Sequence, residues 1–364
     1  MDIVSLTPKK YKEWDDFCLT SDDAWSSHNF LWQDYVLNYR PAASPKLMSF
    51  MVFKNNQIIA ACPLILETHQ GLKEFSFGND YGLTPVFANF LTVKERHDVE
   101  KLVFAHIDQL AQDNNVCRSR FRLSVLSRSF IEAECPRFNY LARFGYLDTS
   151  INTQLIDLRK SISELKSDLR HGHSYDIDRA GKILQAEIFD KDNITQKIFD
   201  EYVKLHQKAA GRITRPRATF DIMYKAIKKE DAFLVGAKKA KKFIGFSYFS
   251  GFKNNADYSS SCNDPDEANI PISHFIQWNA IQWMKKKGFL FYEIGWQYFS
   301  NTLYDFPTEK EINISNFKRG FGGFTVPLFR GEKYYDKEYF LEVQKERVNK
   351  LADILKNKNG KISK

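Results

Sequence analysis

The chain has 364 residues, of which 43% are hydrophobic and 15% aromatic, and it carries a net charge of +8. This is ample material for two packed domains and excludes wholesale disorder. No apolar run approaches the roughly 18 residues of a membrane span.

The opening MDIVSLTPKKYKEW lacks a signal-peptide core. Cys18, Cys62, Cys117, Cys135 and Cys262 are scattered without CxxC pairing, so a reducing, cytoplasmic setting is expected rather than a disulfide framework or a zinc site. Trp25, His28 and Trp32 read as aromatic core. The run 50–66 (FMVFKNNQIIAACPLIL) has two apolar stretches about a polar turn and predicts a β-hairpin. Residues 78–85 (GNDYGLTP) form a turn-rich loop in which Asp80 and Tyr81 offer an acid and an aromatic to a sugar or peptide. A helix follows, with Val99, Leu102, Val103, His106, Ile107 and Leu110 on one face, and then a strand at 121–126.

Residues 160–182 are polar and charged without a strong apolar face, and read as a helical connection with a boundary near Leu158. Within it, His171 and His173 are expected to be exposed rather than metal ligands. Arg212, Arg215 and Arg217 surround Pro216 in an extended segment suited to a diphosphate or an RNA backbone. A second hairpin at 233–250 repeats the first, and Asp257 and Tyr258 lie on the strand after it. The next helix opens at Pro271 and ends at Gly288, with Ile272, Phe275, Ile276, Ala280, Trp283 and Met284 on one face. The strand at 290–294 ends at Gly295, flanked by Glu293 and Trp296, where α/β proteins commonly place ligands. Glu293 is a candidate general base.

After a polar loop, NFKRGFGG sets Phe317, Lys318 and Arg319 against a glycine-rich turn. Glycine admits a ligand close to the backbone, and the two cations suit phosphate or carboxylate. At the end of the chain, Lys345, Arg347, Lys350, Lys356, Lys358, Lys361 and Lys364 decorate a helix and its terminus. Such a basic face attracts RNA, nucleotide-sugar phosphates or an acidic membrane surface. The repeated order of hairpin, strand, helix and strand implies duplicated mixed-sheet α/β domains. The expected division is 1–158, a connection 159–182, a second domain 183–345 and a basic tail 346–364.

The series of motifs resembles the FemAB-type transferases, tandem GNAT-fold enzymes that move an acyl or aminoacyl group onto an amine. The resemblance rests on Leu169-Arg170 and Ile177-Asp178-Arg179-Ala180 at the junction, YVKLHQKAAGR at 202–212, the glycine-ended strand and NFKRGFGG. It covers most of the second half and the first half in outline. The chain lacks the long coiled-coil insertion of some members, and RITRPRATF is similar to the branch associated with surface-glycan synthesis. The resemblance implies two tandem GNAT-like domains with Lys318, Glu293 and Tyr258 in catalytic roles. Phe317, Arg319, Arg212, Arg215, Arg217, Asp257, Trp296, Asp80, Tyr81 and Arg170 are then the candidate substrate contacts.

It also implies a donor, aminoacyl-tRNA or acyl-CoA, in place of a tightly bound cofactor. Neither helix is preceded by a Gln/Arg-x-x-Gly-x-Gly/Ala loop, and NDPDEANIP before the second is acidic, so weak acyl-CoA binding is expected. No Gly-x-Ser-x-Gly or Cys/His dyad is present, which favours direct attack over a covalent enzyme intermediate. The expected acceptor is an amine on a nucleotide-sugar or lipid-linked precursor of bacterial surface glycan or peptidoglycan. Partners would then be that precursor, tRNA and a peripheral contact with the inner membrane face, with no integral segment. The alternative is a non-catalytic glycan- or RNA-binding module with degenerate GNAT halves.

Overall fold

The computed structural model describes residues 1–131 and 138–362, with side chains through residue 356. Cys135 and the side chains of Lys358, Lys361 and Lys364 lie outside the described residues. The fold consists of two mixed α/β halves with separate sheets. In the second half a seven-stranded sheet runs in the order Leu184–Phe189, Ala232–Lys239, Lys242–Phe252, Asn255–Asn263, Phe291–Gln297, Ile151–Asp157, Phe324–Leu328. Helices Gln196–Ala210 and Arg217–Lys228 pack around one core that includes Phe199, Tyr202 and Phe220. Helix Ile272–Lys286 covers another, with Ile276, Ala280 and Met284 fully or almost fully buried. That helix ends as expected, with Gly288 in the left-handed region (φ +83°).

The first half repeats the order with an interruption. Its hairpin is Phe50–Lys54 with Gln57–Cys62, but Pro63 cannot donate to a ladder, and the chain continues into a second sheet as Ile65–His69. Leu72–Phe75 follows, then helix Val93–Asp113 and strand Val116–Arg122. The helix is anchored by a capping box between Thr92 and Glu95 and buries Val99, Val103, Phe104 and Ile107.

Two strands lie in the half opposite to the one their sequence position suggests. Ile151–Asp157, before the expected boundary at Leu158, pairs with Phe291–Gln297 and Phe324–Leu328 in the second sheet. Arg330–Tyr334 returns to pair with Val116–Arg122 in the first half. There Glu332 is buried, accepting from both Arg347 nitrogens at 2.9 Å and from the Tyr81 hydroxyl at 2.7 Å. This fastens the terminal helix Lys337–Ile362 to the first half.

The connection after Leu158 forms helices Ile162–Ser167 and His171–Gly181. It does carry an apolar face, since Leu165, Leu169, Ile177 and Ala180 join the second core. His171 is exposed, as expected. His173 is buried, and its Nε2 lies 2.8 Å from the Phe317 carbonyl. The four described cysteines are free, and no described helix is long and apolar enough to cross a membrane.

Candidate active site

The parallel strands Asn255–Asn263 and Phe291–Gln297 are paired only at Asn255–Phe291, Ala256–Tyr292 and Asp257–Glu293. Beyond that last pair they part from each other, while each stays paired with its neighbour on the other side. Three cavities meet at this opening. One of about 580 Å³ is bounded by Tyr258–Ser261, the start of helix Ile272–Lys286, and Ile314, Phe317 and Lys318. The central one, about 430 Å³, holds Asp257, Glu293, Trp296, Tyr298, Arg122 and Lys318. The third, about 580 Å³, lies between the halves and is bordered by Trp32, Tyr35, Tyr39, Asp80, Arg122, Arg215 and Asp257. Tyr258, Ser259, Ile314 and Lys318 border both of the first two, while Arg122, Asp257 and Ser259 border both of the last two.

Lys318 stands on the last turn of a helix, Glu309–Arg319, in the stretch expected to be loop. A Thr308–Glu311 capping box starts it, and Ser315 is its one buried residue. Gly295 (φ +114°) makes room for the ammonium, because a Cβ there would sit 2.6 Å from Lys318 Nζ. No acceptor lies within hydrogen-bond reach of Lys318 among the described residues, and it makes no ion pair there. Burial lowers its pKa, against the opposing charge of Glu293.

The two carboxylates stand side by side on the paired ends of the strands. Glu293 accepts a hydrogen bond from Thr153 at 2.7 Å. Its pKa is raised by burial, with Thr153, Arg122 and Lys318 opposing. Asp257 accepts from Ser259 at 3.0 Å. Burial first, and then the charge of Glu293, push it up to about 7, with Ser259, Arg122 and Trp25 opposing. A carboxyl at that value takes up and releases a proton near neutrality, as a general base requires. Each carboxylate is held by one hydroxyl, Glu293 by Thr153 and Asp257 by Ser259.

Of the residues singled out in the sequence, Lys318, Glu293, Tyr258, Phe317, Asp257 and Trp296 converge here, and Arg215 and Asp80 border the cavity between the halves. The others lie elsewhere. Arg319 turns away to Gln297 (2.7 Å) and Asn316, over the ring of Phe299. Arg217 begins a helix rather than lying in an extended segment, and pairs with Asp200 and Asp221, both at 2.8 Å. Arg212 and Arg170 are exposed and border none of these cavities. Tyr81 is buried, its hydroxyl bonded to Thr149 and Glu332 and its ring beneath Arg330. The loop turns Asp80 out to the cavity and Tyr81 in.

Arg122, Thr153 and Ser259 were not singled out. Arg122 and Thr153 sit in strands of ordinary appearance; the packing of the two halves brings Arg122 to the carboxylates, and the pairing of Ile151–Asp157 with Phe291–Gln297 brings Thr153. Among the described residues no group of His, Cys, Asp and Glu could hold a metal ion.

The acidic stretch before helix Ile272–Lys286 is neutralised in the fold. Lys208 reaches Asp264 and Asp266, Lys242 reaches Asp264, and Lys239 reaches Glu267. The repulsion expected from NDPDEANIP is therefore offset. The amides of Asp266, Glu267, Ile270 and Ile272, however, already donate within the turn and so are not free to cradle a pyrophosphate.

No family model matches the sequence, and no curated protein matches it. Solved structures do. FemX aligns over 94% of this chain and 100% of its own, with a TM-score of 0.66 at 11% identity. The chain has a FemX-like tandem GNAT fold. L-PGS from Bacillus licheniformis aligns over 94% of this chain and 97% of its own, with a TM-score of 0.60 at 13% identity. A tandem GNAT protein from the clavulanic acid biosynthesis pathway gives 0.51 at 10% identity, over 92% of this chain and 98% of its own. Within this FemX-like fold, the parted strands and Lys318 belong to the second GNAT half.

Proposed function

We propose that this protein is an acyltransferase that moves an acyl or aminoacyl group from an ester or thioester donor onto an amine. The observation that carries this reading is the parting of the strands beyond Asp257 and Glu293. An unpaired lysine and a carboxyl poised near neutrality stand there between two cavities, so donor and acceptor can approach from different sides. The donor enters along Tyr258–Ser261 toward Lys318, and the acceptor enters from the cavity between the halves. The amine attacks the carbonyl carbon, a C–N bond forms, and the C–O or C–S bond of the donor breaks. Asp257 takes the proton shed by the attacking amine and returns it to the leaving oxygen or sulfur. Lys318 balances the negative charge that gathers on the carbonyl oxygen.

The occupied amides before helix Ile272–Lys286 favour aminoacyl-tRNA over acyl-CoA. The fold likeness to FemX and to L-PGS, and to a putative lysylphosphatidylglycerol synthetase from Agrobacterium fabrum whose name joins an amino acid to a lipid, supports an acceptor among cell-wall or lipid precursors. An amine on a nucleotide- or lipid-linked precursor of surface glycan or peptidoglycan fits the open, aromatic-lined acceptor side. The test is transfer of label from aminoacyl-tRNA or from acetyl-CoA to a panel of amine-bearing precursors. Amide formation that needs Asp257 and Lys318 supports the reading. Binding of precursor with no transfer from either donor favours a non-catalytic module instead.

A further inference from the structure

The centre of the site keeps opposite charges apart. Arg122 extends from the last residue of strand Val116–Arg122 in the first half, yet borders the cavity that holds Asp257 and Glu293 in the second. Its guanidinium rests 5.9 Å from the ring centre of Trp296. None of its side-chain donors finds an acceptor among the described residues, and its Nε is shielded from solvent. It forms an ion pair with neither carboxylate, although its charge is felt by both. Trp32 Nε1, on the cavity that Arg122 also borders, is likewise buried without a partner.

A half-buried guanidinium whose Nε is shielded and unpartnered is costly, and the ordinary remedy would be a direct pair with a nearby carboxylate. Here the cation and the two carboxylates stand on the walls of one cavity with space between them. A ligand that bears both charges fills that space: its ammonium faces the carboxylates and its anion accepts from the planar guanidinium fork.

We propose that the acceptor is zwitterionic around its reactive amine, with the amine at Asp257 and Glu293 and a carboxylate or phosphate of the same molecule on Arg122. The identity of this molecule as acceptor rests on the transfer reading above; its binding does not. The first half thereby supplies a specificity-determining residue to the second.

The test is calorimetry with wild type, Arg122→Met and Arg122→Gln at millimolar ligand. Alanine is compared with alaninamide, 4-aminobutyrate with its amide, and glucosamine 6-phosphate with glucosamine. The expected result is that wild type prefers at least one anionic member by about tenfold or more, the worth of a charged hydrogen-bonded pair. Both variants, with melting temperatures near wild type, should bind the members of that pair about equally. The carboxylate and phosphate arms tell which anion is read. Equal affinity within every pair, binding of none included, overturns the proposal, as does a preference that survives in both variants. Charge discrimination without label transfer would leave this subsite standing and remove the transferase reading.

Discussion

In the second half, the parallel strands Asn255–Asn263 and Phe291–Gln297 separate after Asp257 and Glu293, and the gap becomes the site. The first half has the same kind of parallel pair, Leu72–Phe75 beside Val116–Arg122, but its gap is closed. Gly82 and Leu83 take over the pairing with Phe121 and Arg122 where Phe75 leaves off. Next to the start of helix Val93–Asp113, a residual cavity of about 270 Å³ is stoppered by Arg96, paired to Asp23 at 2.9 Å. Of the two parallel pairs, the one in the second half is left open. The other is filled with internal pairs and contributes a wall and Arg122. Substitutions in the second half should therefore strike turnover, and those in the first, Arg122 apart, should strike stability.

The largest effect is expected at Asp257. Asp257→Asn removes the base and should lower kcat/KM by about a hundredfold to ten-thousandfold. In wild type, kcat/KM should rise with pH around a midpoint near 7, and the variant should lose that limb. Stability should move the other way. The folded pKa of Asp257 is about 7 against an ordinary 3.8, so the native state holds a proton that the unfolded chain has released between those values. That contribution is full below the lower value and lost as pH rises through the upper one. At pH 8, Asp257→Asn should be more stable than wild type by on the order of 1–3 kcal/mol, and the gain should shrink toward pH 4; thermal melts across pH check this.

Lys318→Met comes next. It keeps the stem and removes the cation, and should cost about a hundredfold to a thousandfold in turnover with little change in melting temperature. Near-normal turnover would take Lys318 out of the site, and melting loss in proportion to activity loss would make it structural. The smallest effect is expected from Tyr81→Phe in the closed half. It deletes hydroxyl bonds to Thr149 and Glu332, so denaturant unfolding should show a loss of about 1–2 kcal/mol, with turnover within twofold. A selective rise in KM for the acceptor would instead return Tyr81 to the site.

The second half was the more legible one in the sequence. An aromatic run ending at Gly295 and the NFKRGFGG segment pointed to Glu293, Trp296 and Lys318 because short local patterns shape that strand end and that turn. Helix Glu309–Arg319 escaped because it is polar almost all round, and its only clear signal was the Thr308–Glu311 cap. The arginines around Pro216 looked like one cluster, but a helix starting at Arg217 sends them in different directions. Arg122 could not be read at all. Its role depends on a strand of one half meeting the carboxylates of the other, just as the placement of Ile151–Asp157 and Arg330–Tyr334 depends on long-range pairing that hydropathy does not encode.

The central claim, that only the second half opens to a donor, is tested most directly by backbone hydrogen exchange with and without the donor that supports transfer, aminoacyl-tRNA or acetyl-CoA. Protection is predicted at residues 258–263, 272–275 and 314–318, with residues 84–96 and 123–130 unchanged. Donor-dependent protection of those first-half segments, with none along 258–263, would contradict it.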